Sequence, residues 1–323
     1  EVRDEGLLGF PPYAADGCSL AYIAVDGSLR VRDLATGAEE TVAAASERPR
    51  RPALGGGTLT WEAGPAGGSA VFVRALGAGA ENVQIASNRF ALAGEPRAAR
   101  GVVVFTAWAS PDVRSDSDVW LYELSSRSLT RLTDGPAQQR FADVSDTHVA
   151  WTDFSEDPDG RFDENDADVA DVVVHDRATG RSTTRALPGK QAFPILASGS
   201  ILAYLDWAAI HPEPKLTLFG IRAGALGGDP RADRDVAVVR SQSAAVRPAG
   251  RAGVVEWVDN PSGTLRWFRA DLERGGEPAL LDGSGDAELY APAVASGFAV
   301  VARKARDGSG KLGRPLLHAS SRR

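Results

Sequence analysis

The chain has 323 residues, enough for one large all-β domain or two ordinary ones. Its formal net charge of −7 excludes a general nucleic-acid binder, because neutralising phosphate needs a surplus of lysine and arginine. The single cysteine, Cys18, excludes an intramolecular disulfide and a Cys-based zinc site.

Residues 1–7 stand ahead of any repeating pattern. The first module, 10–45, holds a β-branched run at 28–34, a turn at Ala35-Thr36-Gly37 and a second run at 40–42, which predicts a hairpin. The second, 49–88, opens on an apolar stretch, 53–61, that ends at Trp61. The third, 94–135, carries a hairpin over 117–133. In the fourth, 138–189, the stretch 144–151 ends at Trp151 and leads to 170–177, a turn at Ala178-Thr179-Gly180, and 183–187. The fifth, 191–242, opens on 196–204 and diverges after 215. The sixth, 243–283, repeats the opening over 248–257 and ends it at Trp257. The seventh, 287–323, has three runs instead of four, the last at 315–319.

Each full module is a short strand, a tight turn, an apolar strand ending in Trp or Tyr, and a hairpin. Four strands in about 45 residues make one propeller blade. The predicted fold is therefore all-β. It is a single β-propeller domain over 1–323, with seven four-stranded blades and residues 1–7 supplying the outer strand of the last blade. Six blades is the alternative, should 215–242 hide a misdivision.

The run Asp118-Val119-Trp120-Leu121-Tyr122-Glu123-Leu124, followed by Leu129-Thr130-Arg131-Leu132-Thr133, resembles the repeat of the TolB-like (WD40-like) propeller family. Blades of that family read D-I-Y-V-Y-D-L…G…R-R-L-T. Val149-Ala150-Trp151-Thr152-Asp153 resembles the strand before it. The resemblance is good over 94–207, fair over 10–90 and weak after 210. It implies a propeller and a secreted, periplasmic or cell-surface location, and it implies no reaction. The opening at Glu1 is read as following removal of a secretory signal. No apolar run approaches the roughly 20 residues that span a membrane.

The acidity is concentrated in one place. Between Asp153 and Asp171 there are nine acids and one arginine. The string Asp157-Pro158-Asp159-Gly160 and the acids after it form an insertion in the fourth module. Calcium takes six to eight hard oxygens from such loops, so Asp157, Asp159, Asp163, Asp166 and Asp168 are candidate calcium ligands. A solvated acidic hairpin tip is the competing reading.

His148, His175, His211 and His318 fall in different modules and give no ligand pair by spacing. Trp61, Trp108, Trp151, Trp207 and Trp257 recur at matching strand ends and read as packing between blades. Arg48, Arg50 and Arg51 read as a small solvated basic loop. There is no Gly-x-Ser-x-Gly elbow and no Walker-type loop, and no catalytic residue is assigned. The expected function is a non-enzymatic, monomeric extracytoplasmic scaffold that binds a protein or small ligand. The alternative is a lyase or hydrolase working in the central channel.

Overall fold

The computed structural model describes residues 11–64, 69–77, 79–85, 89–162, 169–207, 218–240, 247–259, 265–282, 287–295, 298–305 and 316–321. Its regular structure is almost wholly β, with two single-turn 3-10 helices among the described residues. The strands form antiparallel meanders. The first runs Tyr13–Asp16, Ser19–Ile23, Leu29–Asp33 and Glu39–Ala43 in spatial order. The next five repeat that order, from the sheet beginning at Arg50–Gly55 to the one ending at Ala279–Asp282.

The expectation of seven complete four-stranded blades needs one correction. Six sheets are complete. The last has four segments in three strand positions: Ala287–Leu289 and Ala293–Val294 both pair with one side of Phe298–Ala305, and Leu316–Ser321 pairs with the other. Residues 1–7, expected to complete it, lie outside the described residues.

The innermost strands touch one another in chain order and return from the last sheet to the first. The last contact is tied by Tyr13, whose buried hydroxyl donates to the Ala291 carbonyl at 2.5 Å and accepts from the Ala302 N–H at 2.8 Å. Burial follows position in the sheet. Val102–Trp108, second in its sheet, is buried at every residue, whereas the outermost strand, Ser128–Arg131, is largely exposed.

The hairpin turns show why the repeat was readable. The Asp33 carboxylate accepts from the N–H groups of Ala35 and Thr36, at 2.8 and 3.0 Å, and Gly37 supplies φ 77°. Asp176, Ala178, Thr179 and Gly180 repeat this in the fourth sheet, and Asp271, Glu273, Arg274 and Gly275 in the sixth. A side chain that closes its own turn fixes a hairpin with no tertiary help. The tryptophans pack between sheets as expected. Trp61 joins residues of the first two sheets, Trp151 those of the third and fourth, and Trp257 those of the fifth and sixth.

Candidate functional site

The innermost strands of the sheets surround a cavity of about 170 Å³. Its mouth is built by a feature repeated from blade to blade. In the second, fourth and fifth sheets the pairing register slips between Arg50 and Ala53, Arg140 and Asp143, and Ala192 and Ile195. The third sheet slips opposite Glu95. At each slip one residue adopts the left-handed conformation: Arg51 at φ 49°, Glu95 at 56°, Phe141 at 54° and Phe193 at 55°. None is glycine, so each stores strain of about 1–3 kcal/mol that its surroundings must hold in place. All four line the cavity.

Proline follows the bulged residue at Pro52, Pro96 and Pro194. Its missing N–H suits a bulge, where the ladder bond is already lost. The strained N–H groups are held by side chains of the preceding sheet. Glu95 donates to Glu62 Oε1 at 2.7 Å, Phe141 to Glu95 Oε2 at 3.2 Å, and Phe193 to Thr152 Oγ1 at 3.0 Å. The second, third and fourth sheets thus each position the channel residue of the next.

The lining is cationic although the chain is acidic. Arg51, Arg97, Arg247 and Arg251 stand against Glu95 and Asp143. Glu95 is 2% exposed. Burial opposes its ionisation, but Arg140 at 2.6 Å, with Arg51 and Arg247 nearby, outweighs burial and holds the carboxyl down at about 2. Burial pushes Asp143 up, against the pull of Arg97. Burial also pulls the guanidinium groups of Arg97 and Arg247 below their usual range. On another side of the lining, Arg251 reaches Asp16 of the first sheet. There Gly55 lies so close to the third sheet that a Cβ would meet the Ala98 carbonyl oxygen at 1.8 Å.

An aromatic shelf flanks the mouth. The Arg247 guanidinium lies 4.5 Å from the Phe141 ring centroid and 4.0 Å from that of Phe193. Phe162 comes in from the acidic insertion, with its ring 5.0 Å from Phe141 and its N–H donating to Gln138 Oε1 at 3.1 Å. Buried Lys190 sits between Phe162 and Trp207, at 5.0 and 5.4 Å.

Sequence reading missed this site. Arg50 and Arg51, expected in a solvated loop, both pair with buried Glu62, at 3.0 and 3.1 Å, and Arg51 lines the channel. The expected calcium ligands are only partly in view. Asp157 accepts from the N–H groups of Asp159 and Val169, at 3.1 and 2.8 Å, and Asp159 from that of Arg161 at 3.0 Å. Asp163, Asp166 and Asp168 lie outside the described residues, among which no three His, Cys, Asp or Glu gather as a cation site. His148 and His175 are strand-surface residues bonded to Thr147 and Ser182. His211 lies outside the described residues, and His318 lies on the strand Leu316–Ser321.

The β-propeller domain of the trilobed protease from Pyrococcus furiosus matches 98% of this chain over 97% of its own length, with a TM-score of 0.63 at 10% identity. The chain is a β-propeller. The propeller is also similar to a prolyl endopeptidase, over 94% of this chain and 48% of that one (TM-score 0.56, 14% identity). TolB from Acinetobacter baumannii matches over 78% and 61% (TM-score 0.49, 13% identity). This chain therefore spans about half the length of the endopeptidase and about three-fifths of TolB. No family model and no curated protein matches the sequence.

Proposed function

We propose that this propeller is a non-enzymatic extracytoplasmic binding module that takes its ligand at the channel mouth. The observation carrying this reading is the set of four strained, non-glycine residues that consecutive sheets aim into one cavity. Strain of this kind persists where a site has to hold its side chains fixed. Convergent acids and arginines are also what an enzyme would need. Here, however, both Glu95 oxygens are occupied by donors from Arg140, Thr106 and the Phe141 N–H. No serine, threonine, cysteine, lysine or histidine is among the described lining residues. That chemistry favours holding a ligand over transforming one. Location outside the cytoplasm rests on the TolB-like character of the repeats.

The test is a thermal-shift screen of short peptides and small polar molecules of all charge types, beside hydrolase and lyase assays. Expected are stabilising compounds whose effect disappears in Phe193→Ala, with no turnover. Turnover abolished by Asp143→Asn would overturn the reading.

Closure of the ring belongs to the same proposal. Residues 1–7 would fill the outer position of the last sheet and make the seventh blade four-stranded. The Pyrococcus domain is described as having an open velcro topology, so the two arrangements are rivals. Deleting residues 1–7 is expected to lower the melting temperature by several degrees and to promote association through the bared edge. An unchanged melt would assign the open arrangement.

Calcium at Asp157, Asp159, Asp163, Asp166 and Asp168 is also proposed, on charge density alone. Loops of this affinity class bind at roughly 10⁻⁴–10⁻³ M, so millimolar calcium is expected to stabilise the fold by about 1 kcal/mol over EDTA. The shift should vanish when Asp163, Asp166 and Asp168 become Asn. Asp157 is left intact in that variant because it caps the Val169 N–H. Equal shifts in both proteins would return the segment to a solvated tip.

A further inference from the structure

We infer that the third sheet carries a second binding site, for a small monocarboxylate with an apolar body, its carboxylate on Arg89 and its body over Phe90, Trp108 and Trp120. This does not rest on the channel-mouth reading. None of the nine residues that line this pocket also lines the channel. All nine come from the third sheet, its own loop and the connection that enters it.

The first argument is an arginine without an acid. Arg89 is exposed and pairs with no carboxylate among the described residues. Its guanidinium carbon lies 4.8 Å from the Trp120 ring centroid and 6.0 Å from that of Phe90. Stacking places a guanidinium through its face, by attraction to the ring, and does not use its N–H groups. Those groups form a planar fork that matches a carboxylate with two parallel hydrogen bonds.

The second argument is what surrounds it. Arg131 pairs with Trp120 across the hairpin, and Asp118 lies two residues before Trp120 on the same face. Arg131 Nη2 donates to Asp118 Oδ2 at 2.7 Å, and the Thr133 hydroxyl to Asp118 Oδ1 at 3.1 Å. The pocket thus holds one arginine with an acid and one without. Burial raises the Asp118 carboxyl, and Asp134 adds to this. A ligand with one negative charge suits Arg89, whereas a second charge would meet Asp118 and Asp134.

The third argument is that a blade does not need this arrangement. By register, the positions of Asp118, Trp120 and Arg131 hold Asp171, Val173 and Thr184 in the fourth sheet. That sheet forms with neither a ring nor a guanidinium there. In the third, Phe90 and Trp120 meet edge-on with centroids 5.0 Å apart and make an aromatic floor. Trp108 adds a wall, its indole N–H already donating to the Val113 carbonyl at 3.0 Å. An apolar body gains by leaving water for such rings.

Benzoate, benzamide and acetate are the probes, followed through the indole N–H resonances of isotope-labelled protein, with that of Trp120 assigned by Trp120→Phe. Benzoate should shift the Trp120 resonance saturably in the wild type. Benzamide lacks the charge and acetate the ring, and both should bind at least about tenfold more weakly. Arg89→Gln is expected to keep the fold by circular dichroism, since the side chain is exposed, and to weaken benzoate by at least about tenfold, the loss of one charge-assisted contact. Arg114→Gln removes an exposed arginine of the same sheet that lies outside the pocket, and should bind benzoate as the wild type does. No saturable shift at Trp120, equal binding of benzoate and benzamide, or an equal loss in Arg114→Gln would overturn the assignment. Acetate binding as tightly as benzoate would overturn it too, by reducing the site to a bare anion contact.

Discussion

Replacing Asp233 with alanine is expected to destabilise the propeller by about 3–5 kcal/mol, the usual cost of stripping one partner from a buried ion pair. Arg185 ends the outer strand of the fourth sheet and crosses to the fifth. Its Nη2 meets both Asp233 oxygens at 2.5 Å, and the two side chains are 3% and 2% exposed. Its Nη1 donates to the Ala225 carbonyl at 3.0 Å, and the Tyr204 hydroxyl donates to Asp233 Oδ2 at 2.8 Å. The backbone makes room for the carboxylate at Gly224, where a Cβ would lie 1.6 Å from Asp233 Oδ1. Alanine at 233 leaves a guanidinium buried against carbonyls alone and the Tyr204 hydroxyl without its acceptor. Urea midpoints of the wild type, Asp233→Ala and the double variant Arg185→Met/Asp233→Leu test this. The double variant should recover most of the loss, because neither charge then remains buried. An independent readout is the Tyr204 phenol. Burial first, and Asp233 second, push it well above its ordinary value. It should therefore titrate at lower pH in the single variant. A cost under about 1 kcal/mol for Asp233→Ala would place the pair among weak surface contacts instead.

That ion pair was not legible in the sequence, and the reason generalises. Hairpin turns were legible because Asp33, Asp176 and Asp271 each bond the N–H groups two and three residues on. A local bond leaves a local signature. The tryptophans were legible because a packing position recurs once per blade. Arg185 and Asp233 sit in different blades and occur in no sibling module, so no repeat announces them. The channel was hidden for a different reason. A bulge interrupts the period-two alternation from which side-chain facing is inferred, so Arg50 and Arg51 looked like a charged loop rather than one strand with its second residue turned inward. The signal was present nonetheless. Pro12, Pro52, Pro96, Pro194, Pro248 and Pro292 mark the same position of the inner strand in six modules, with Ala142 in the remaining one. The residue before each, from Pro11 to Ala291, lines the channel. Read as a repeat, that column would have assembled the ring of Arg51, Glu95, Phe141, Phe193 and Arg247. The acids from Asp163 to Asp168 gave no comparable column, since they belong to one module alone.

Glu95 should make the propeller acid-labile in a way that one variant isolates. Its folded-state pKa of about 2 lies below the ordinary 4.5, and the depression reflects Arg140, Arg51 and Arg247 prevailing over burial. A carboxyl depressed in the folded state contributes stability that is fully present above its unfolded value and is lost as pH falls through the folded one. A gap of this size corresponds to about 3 kcal/mol. The window is therefore pH 5 down to pH 2 on those two values. Asp143 has the opposite sign. Burial raises its pKa, so it costs stability at neutral pH, and that cost is relieved on acidification. Asp33 and Asp176 are also lowered, by their turn N–H groups. A bare acid-denaturation curve would mix all of these. The difference between wild type and Glu95→Gln cancels the shared groups. Glutamine keeps an acceptor for the Phe141 N–H and the Thr106 hydroxyl but gives Arg140 no charge. The wild-type advantage, measured by urea unfolding at fixed pH values, should be constant above pH 5 and shrink by about 3 kcal/mol by pH 2. A difference that stays flat across that range would mean Arg140 and its neighbours do not govern Glu95. The chain of side-chain contacts running from Glu62 through Glu95 to Phe141 would then have to be held by packing alone.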